Sequence, residues 1–189
     1  MEAAERVREA MRAVPRPRYL PRAQRFFAAA DMALPIGHGQ TNSQPSTVRA
    51  MLELLDVLPG QRVLDVGAGS GWTTAILAHL TGPTGSVLGV ERVPALVETA
   101  TANVGRAGMP WARVVRATPG VVGAPDEAPF DRILVSAEPD HLPAELVAQL
   151  GDDGVMVIPV GGRMLRVRST PRGPEVERTG YYRFVPLVP

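Results

Sequence analysis

The sequence predicts a doubly wound α/β domain with a mainly parallel sheet. Short apolar segments with the character of buried strands alternate with segments of helical period between residues 62 and 159, as expected when helices cover both faces of a parallel sheet. A glycine-rich turn follows the first of these strands, and open α/β sheets bind ligands at the carboxyl ends of their strands. The chain of 189 residues is long enough to form one domain with a core of its own.

The first part of the chain, residues 1–58, is expected to form a cap over that domain. Apolar side chains recur at helical spacing over residues 3–13, and the prolines that follow end this helix. Residues 33–45 have neither a helical nor a strand period, and their many glycines, prolines and capping side chains predict an ordered loop. A second helix begins near Ser43, because the next apolar residues, up to Leu55, share one helical face.

Residues 59–189 are expected to form the α/β core. The sequence predicts helices at residues 73–80, 95–107 and 144–150, and strands at residues 62–66, 86–90, 113–116, 132–135 and 155–159. The tail has another pattern, because residues 164–169 and 182–188 alternate or cluster as strands on either side of a proline-glycine turn. These two segments predict an antiparallel strand pair that finishes one edge of the sheet. A single domain of residues 1–189 is therefore the expected organisation.

Composition excludes several kinds of site. The chain has no cysteine, which removes disulfides, thiolate metal ligands and thiol nucleophiles, and with only three histidines no metal site is predicted. The formal net charge of +1 gives no strong attraction to nucleic acid or to an anionic membrane. The charged N-terminus is not followed by an uninterrupted apolar run, so neither a secretory signal nor a membrane span is predicted. We expect a cytoplasmic protein that acts as a monomer.

The run from Asp65 to Gly71 predicts a site for a nucleotide-type cofactor. A strand leads directly into a glycine turn and then into a helix, which brings a ligand against backbone N–H groups at the carboxyl end of the strand. Glycines are needed there because a Cβ atom would block that approach or forbid the turn. Glu91 follows at the end of the next strand, where a carboxylate can accept hydrogen bonds from both hydroxyls of a ribose.

Two details distinguish the possible cofactors. The dinucleotide fingerprint of a nicotinamide-dependent dehydrogenase has a small residue at its sixth position, where this chain has Trp72. An acid at the position of Asp65 is better explained by methyltransferases, in which it holds the methionine end of S-adenosyl-L-methionine through the loop or through the ammonium group. S-adenosyl-L-methionine is therefore the predicted cofactor. A dehydrogenase, and a tight turn in a domain that binds nothing, remain as alternatives at this point.

The loop before the second helix is far more specific than the glycines. It has the sequence LPIGHGQTNSQP (residues 34–45) and, together with PGQRVLDVGAGSG (residues 59–71), it resembles the protein-L-isoaspartate O-methyltransferase family of class I S-adenosylmethionine-dependent methyltransferases. Further matches follow in order at residues 14–16, 128–131, 157–162 and 183–188. The resemblance therefore covers essentially the whole chain.

The resemblance implies a carboxyl O-methyltransferase. Such an enzyme transfers a methyl group from S-adenosyl-L-methionine to the free α-carboxylate of an L-isoaspartyl residue in a peptide or protein, which leaves S-adenosyl-L-homocysteine. The ester can then close to a succinimide. A carboxylate with an ordinary pKa of about 4 is ionised at neutral pH, so the lack of a recognisable catalytic base is no objection. The protein should mainly align the reactants and exclude water.

By position, the resemblance assigns roles to individual residues. Ser43 lies where the family places a hydroxyl at the substrate carboxylate, although a serine there also suits the N-terminal cap of the second helix. The expected substrate contacts are Ile36, His38, Gln40, Thr41 and Asn42. The expected cofactor contacts are Asp65, Gly67, Ala68, Gly69, Ser70, Glu91, Arg92, Thr118 and Gly120.

Three positions depart from the pattern of the family. The family usually has an aspartate between two glycines after the third core strand, and this aspartate helps to seat the adenine. Pro119 stands in that place here, so adenine recognition is expected to use the Thr118 hydroxyl or the Gly120 amide. Asn42 replaces an aliphatic residue close to the acceptor site. Glu138 adds an acid to a segment that is usually uncharged, where the substrate would pass.

Three hypotheses about function follow from these observations. The chain could methylate isoaspartyl residues in damaged proteins, or it could methylate a particular aspartate of a natural-product peptide and so give an aspartimide. In the third hypothesis, it is an inactive module that binds S-adenosyl-L-methionine. The departures lie at the rims of the expected site while Ser43 and the glycine turn are present, which favours a changed substrate over an inactive protein.

Overall fold

A computed structural model describes residues 2–188, which form five α-helices and nine β-strands. The helices are α1 (Ala3–Ala13), α2 (Pro45–Leu55), α3 (Trp72–Thr81), α4 (Pro94–Arg106) and α5 (Ala144–Val147). The strands are β1 (Leu34–Gly37), β2 (Gln40–Asn42), β3 (Arg62–Val66), β4 (Ser86–Glu91), β5 (Ala112–Arg116), β6 (Phe130–Val135), β7 (Leu150–Val160), β8 (Arg163–Arg168) and β9 (Glu175–Tyr181).

Seven strands form one sheet in the order β5-β4-β3-β6-β7-β8-β9. The pairs among β5, β4, β3, β6 and β7 are parallel, whereas β8 is antiparallel to β7 and β9 is antiparallel to β8. The predicted mainly parallel, doubly wound sheet with an antiparallel pair at one edge is therefore confirmed. The winding reverses between β3 and β6, and the crevice at the carboxyl ends of such strands is where open α/β sheets bind ligands.

Neighbouring residues of the central strands face two different apolar layers. Val63 packs in the layer that contains α1, α2 and α3, whereas Leu64 and Val66 pack on the opposite face of the sheet together with Leu146 of α5. Because both faces are covered, the central strands are apolar along almost their whole length, which is the pattern that identified them in the sequence. None of the helices in residues 2–188 combines the length and the apolar character needed to cross a membrane.

The segment that was predicted to be an ordered loop is a β-hairpin. β1 and β2 pair in antiparallel fashion, with Leu34 opposite Asn42. Gly37, His38 and Gly39 all have positive φ, with His38 at 55°, and they turn the chain between the two strands. The loop prediction was wrong because strands of four and three residues, interrupted by a bulge, are too short to show a period of two.

The helix that was predicted at residues 144–150 is shorter than expected. It ends after four residues, and β7 begins at Leu150. The side chain of Gln149 binds the backbone of a neighbouring loop, since its amide nitrogen donates to the Val122 carbonyl at 2.8 Å and its oxygen accepts from the Ala124 N–H at 2.8 Å. These tertiary contacts bind the segment between α5 and β7 to the loop that follows β5, and they favour the early end of the helix.

The last predicted strand, residues 182–188, is also wrong. The edge strand is β9, and it lacks the apolar alternation that a sequence pattern detects because most of its side chains are exposed. Residues 182–188 form an extended tail that meets the loop after β6 at a bridge between Glu138 and Pro186. Three of their side chains, those of Tyr182, Phe184 and Leu187, are partly buried because they pack against the core.

Candidate active site

A cleft opens at the carboxyl ends of β3, β4 and β6. It encloses about 940 Å³, counting the part that is open to solvent. Its walls come from the exit of the hairpin, the glycine turn, the loop after β5 and the C-terminal tail. These parts contribute residues 40–43, 66–70, 121–123 and 185–188. Segments that are far apart in the chain therefore meet around one space.

The glycine turn between β3 and α3 is shaped by close backbone packing. Gly71 has a φ of 85°, and a Cβ atom there would lie 3.0 Å from the Val104 side chain and 3.2 Å from the Ala100 carbonyl. Glycine therefore allows α4 to pack against the start of α3. Residues 67–70 of the same turn line the cleft, as expected for a site that presents backbone N–H groups to a ligand.

Glu91 faces the glycine turn from the end of β4. One carboxylate oxygen accepts a hydrogen bond from the Gly69 N–H at 2.9 Å, and the other accepts from the Val93 N–H at 2.9 Å. The side chain borders the cleft although the residue is only 5% exposed, and Arg92 lines the cleft beside it. Because each carboxylate oxygen has further lone pairs, the carboxylate can also accept hydrogen bonds from ribose hydroxyls.

Asp65 lies behind the cleft and does not line it. Its residue is 0% exposed, and one oxygen accepts hydrogen bonds from the hydroxyls of Thr73 at 2.8 Å and Thr74 at 2.6 Å. The other oxygen has no hydrogen-bond partner within residues 2–188. Burial raises the pKa of Asp65 to about 6, while the two threonine hydroxyls oppose this rise and Glu91 adds to it. Asp65 therefore influences the cleft indirectly, because it holds the side chain of Thr73, a residue that lines the cleft.

The loop after β5 brings different residues to the cleft from those expected. Thr118 and Gly120 do not line the cleft, and the Thr118 carbonyl accepts a hydrogen bond from the Val121 N–H at 3.0 Å, which closes a turn. Ala117, Val121 and Val122 line it instead. An apolar wall of this kind suits the face of a flat aromatic ring. The two valines directly follow Gly120 in the sequence, but nothing there separates them from ordinary core residues.

The hairpin brings part of the predicted substrate-binding set to the cleft. Gln40, Thr41, Asn42 and Ser43 line it. Ile36 is buried in a small apolar cluster between the cap and α4, and it does not line the cleft. His38 lies exposed at the tip of the hairpin and is also absent from the lining. Ile36 instead packs with apolar residues such as Leu96, and His38 belongs to the turn before β2, the strand that borders the cleft.

A second groove meets the cleft at Ser43. It runs between the start of α2 and the C-terminal tail, and Thr41, Ser43, Ser136 and Val185 line both the groove and the cleft. Two ligands, one in each space, would therefore meet beside Ser43, which is the arrangement that a group transfer requires. Ser136 and Val185 were not predicted as site residues, because neither belongs to a motif that carries chemistry.

Glu138 does not enter the path of a substrate, contrary to the expectation from the sequence. Its carboxylate accepts hydrogen bonds from the Gly162 N–H at 2.6 Å and from the Phe184 N–H at 3.3 Å. Its backbone N–H donates to the Val185 carbonyl at 2.8 Å, and its carbonyl accepts from the Leu187 N–H at 2.8 Å. Glu138 therefore fixes the C-terminal tail, which forms one wall of both the cleft and the groove.

These features fit a nucleoside cofactor that carries a further polar group. The carboxylate of Glu91 suits a ribose, the wall that contains Val121 and Val122 suits a base, and the backbone of the glycine turn suits a polar end. Within residues 2–188, no group of three or more acidic or histidine side chains is placed to hold a metal ion. The hydrogen-bonding groups and apolar walls of the cleft and the groove can position two organic ligands next to each other.

Comparison with known sequences gives matches along the whole chain. A family model described as protein-L-isoaspartate(D-aspartate) O-methyltransferase matches residues 1–189. A protein-L-isoaspartate O-methyltransferase of Aeropyrum pernix is 45% identical over 190 residues, which cover 98% of this chain and 73% of that protein. The protein of the same name from Methanopyrus kandleri is 45% identical over 191 residues, which cover 98% of this chain and 84% of that protein.

Comparison with solved structures gives the same fold over the whole chain. A protein-L-isoaspartate O-methyltransferase aligns with a TM-score of 0.87 at 25% identity over 98% of this chain, which spans 62% of that longer protein. A putative protein-L-isoaspartate O-methyltransferase from Plasmodium falciparum, solved in complex with S-adenosyl-L-homocysteine, aligns with a TM-score of 0.83 at 27% identity. The alignment with the Plasmodium protein covers 97% of this chain and 90% of that structure.

Proposed function

Since this chain belongs to the protein-L-isoaspartate(D-aspartate) O-methyltransferase family, we propose that it methylates the free α-carboxylate of an L-isoaspartyl residue in a peptide or protein. The cofactor would occupy the cleft and the acceptor would occupy the groove. The observation that carries this proposal is the junction of the two spaces at Ser43. The relative from Plasmodium falciparum, which contains S-adenosyl-L-homocysteine, supports the same cofactor for this chain.

The residues of the cleft suit this cofactor. S-adenosyl-L-methionine supplies a methyl group activated by a positively charged sulfur and leaves as S-adenosyl-L-homocysteine. Glu91 accepts hydrogen bonds from the ribose, and residues 67–70 hold the polar end through the glycine turn. Val121 and Val122 pack against the adenine in place of the aspartate that is usual in the family. Asp65 maintains the start of α3 through its two threonine partners.

The residues at the junction suit the acceptor. The Ser43 hydroxyl donates a hydrogen bond to the acceptor carboxylate and so orients one oxygen towards the methyl group. A carboxylate is already ionised at neutral pH, so this chain needs no general base. The walls of the groove, which include Tyr182 and Phe184 of the tail, exclude water from the reacting atoms. The contribution of the protein is therefore alignment, which can account for roughly 7 to 11 kcal/mol of a reaction barrier.

The other two hypotheses from the sequence are not favoured. The relatives from Aeropyrum pernix and Methanopyrus kandleri are 45% identical over nearly the whole chain and carry the name of the isoaspartyl enzyme. Ser43 also lines the open groove, so the hydroxyl that the isoaspartyl reaction uses is available to an acceptor.

The test is the transfer of a labelled methyl group to an isoaspartyl peptide and to the matching aspartyl peptide. We expect transfer to the isoaspartyl peptide only. The Ser43→Ala variant should lower kcat by roughly 10- to 100-fold, because one hydrogen bond to a charged group contributes about 1.5–3 kcal/mol. Its affinity for S-adenosyl-L-homocysteine should stay within about twofold of the wild type.

Ser86→Ala serves as the control, since Ser86 is exposed at the start of β4 and lies outside the cleft and the groove. This control variant should match the wild type in both measurements. Equal transfer to the two peptides, or transfer to neither, would contradict the proposed function. An equal loss of turnover and cofactor affinity in Ser43→Ala would leave Ser43 as a helix cap only.

We also propose that residues 1–189 work as one unit and that the enzyme acts as a monomer without nucleic acid or membrane partners. The cap and the core share one continuous apolar layer, because α1 packs against α3 and α2 packs against β6 and β7. Light scattering coupled to gel filtration should give a mass of about 20 kDa, the mass of a single chain. A stable dimer would contradict this part of the proposal.

A further inference from the structure

A buried arginine in the cap, Arg16, contacts the acceptor loop, which is formed by Asn42 and Ser43. Arg16 is only 5% exposed, and burial lowers the pKa of its guanidinium, an effect that Asp31 partly opposes. The guanidinium forms no salt bridge within residues 2–188. It donates instead to the Asn42 side-chain oxygen at 2.7 Å and to the carbonyls of Ser43 at 3.0 Å and Asn42 at 3.1 Å. The carbonyl groups before and after the Cα atom of Ser43 are thus both held by one charged side chain.

Asn42 connects Arg16 to the glycine turn between β3 and α3, called the cofactor turn below. The residue is 5% exposed, its side-chain oxygen accepts from Arg16, and its amide nitrogen donates to the Ser70 hydroxyl at 3.3 Å. The Ser70 carbonyl in turn accepts from the Asn103 side chain of α4 at 2.8 Å. A buried hydrogen-bonded path therefore joins the cap, the acceptor loop and the cofactor turn. Every step of that path lies among buried residues, where an unmade hydrogen bond is costly.

The chemistry of the amide explains why an asparagine is suited to this position. It needs an acceptor towards the arginine and a donor towards the serine, and a carboxamide supplies both on one short side chain. An aliphatic side chain, which is usual for the family at this position, supplies neither. The link between the acceptor loop and the cofactor turn is therefore a property of this chain's own residues.

We propose that Asn42 is a positioning residue that couples the acceptor serine to the cofactor turn, so that binding in the cleft sets the position of Ser43. The proposal rests on the proposed function, because it concerns the alignment of the same two ligands. Alignment is sensitive to small displacements, and a shift of about 1 Å can change a rate by roughly 100-fold. A direct link between the two halves of the site also couples their ligands. Cofactor binding then changes the affinity for the peptide, and peptide binding changes the affinity for the cofactor by the same factor.

The experiment compares the Asn42→Leu and Ser70→Ala variants with the wild type. The affinity of an isoaspartyl peptide is measured by calorimetry with and without saturating S-adenosyl-L-homocysteine, and kcat and KM are measured by methyl transfer. In the wild type we expect S-adenosyl-L-homocysteine to tighten peptide binding by roughly fivefold or more. In Asn42→Leu this factor should fall to about one and kcat should fall by roughly tenfold, while cofactor affinity stays within about threefold.

Ser70→Ala removes the hydroxyl but leaves the contacts of Arg16 unchanged, so it tests the link even if Asn42→Leu folds poorly. The double variant should have the same coupling factor and the same kcat as Asn42→Leu alone, because both substitutions remove the same hydrogen bond between Asn42 and Ser70. Gln24→Leu provides a control in the cap, since Gln24 lines neither the cleft nor the groove. It should behave as the wild type.

Two results would overturn the inference. One is an unchanged coupling factor in both single variants, and the other is a loss of cofactor affinity as large as the loss of kcat, which indicates a purely structural role. Failure of the proposed function is distinguishable, since in that case the wild type itself would not methylate the isoaspartyl peptide. An active wild type with uncoupled binding would refute only the role of Asn42.

Discussion

The cofactor turn (residues 67–71) and the acceptor wall, which consists of Asn42, Ser43 and the C-terminal tail, differ in the sequence separation of the residues that hold them in place. Asp65 binds threonines that lie eight and nine residues away, and Glu91 binds Gly69 at a separation of 22 residues. The acceptor wall depends on longer connections, since Arg16 reaches Ser43 over 27 residues and Glu138 reaches Phe184 over 46. The turn is thus part of one supersecondary unit, whereas the acceptor wall is assembled from separate parts of the chain.

This difference predicts how the two halves of the site respond to substitution. A change in the cofactor turn acts directly on groups that touch the ligand, so its effect should be large and confined to cofactor binding. A change in a residue that fixes the acceptor wall acts through the backbone it holds, so its effect should be smaller and should appear mainly in peptide binding. Two experiments test this distinction, and a third, which has the smallest expected effect, concerns the buried acid behind the turn.

The largest effect is expected from Glu91→Ala. The variant loses a carboxylate that accepts hydrogen bonds from two backbone N–H groups and that also provides the acceptors for the ribose hydroxyls. Because hydrogen bonds to charged groups contribute about 1.5–3 kcal/mol each, affinity for S-adenosyl-L-homocysteine should fall by at least about 100-fold in calorimetry. Glu127→Ala is the control, since Glu127 is exposed and pairs with Arg113 far from the cleft. A fall of less than about fivefold would show that the ribose is held elsewhere.

An intermediate effect is expected from Glu138→Gln. A glutamine keeps one side-chain oxygen but cannot accept from both the Gly162 and the Phe184 N–H groups through two oxygens, so the tail is held less firmly. We expect the KM of the isoaspartyl peptide to rise by roughly tenfold, with a smaller change in cofactor affinity. Glu145→Gln, on the surface of α5, should leave both values unchanged. A larger effect on the cofactor than on the peptide would break the proposed division between the two walls.

The smallest effect is expected from Asp65→Asn and concerns the pH dependence of stability. Burial raises the pKa of Asp65 from 3.8 to about 6 in the folded protein. Between these values the folded state binds more protons than the unfolded state, so the stabilisation present at low pH is lost as the pH rises through about 6.

The free energy of unfolding of the wild type should therefore fall relative to that of Asp65→Asn by about 1–2 kcal/mol between pH 5 and pH 7. Urea denaturation of the two ligand-free proteins measures this difference. Parallel pH profiles would mean that Asp65 titrates in the folded protein as it does in the unfolded chain. In that case, the side chain would be better solvated than its buried position indicates.

The parts of the fold that the sequence predicted well are those with strong local patterns. The predicted strand at residues 62–66 coincides with β3, and the predicted strand at residues 86–90 differs from β4 by one residue. Both are buried on two faces, and Asp65 and Glu91 lie at or next to their carboxyl ends. By contrast, β9 is exposed and β1 is only four residues long, so neither had a pattern that distinguished it from a loop.

The candidate site divides in the same way. The glycine turn and Glu91 border the cleft as their motif indicated. The turn directly follows β3 and Glu91 ends β4, the next strand along the chain. Thr118 and Gly120 were chosen by alignment to a family motif that this loop does not have, and the turn closed by Val121 directs other residues to the cleft. Ser136 has no motif at all, and only the position of β6 beside β3 brings it to the junction.

The sequence by itself determined the fold class, the family resemblance and the position of the glycine turn and Glu91 at the cleft. These depend on the periodicity of buried strands and on a glycine turn, which are properties of neighbouring residues. Only the tertiary structure decided that the acceptor loop is a hairpin, that Glu138 holds the tail, and that Arg16 and Asn42 connect the acceptor serine to the cofactor turn. Contacts between residues 26 or 46 positions apart leave no periodic trace in a sequence, because they depend on which elements pack together.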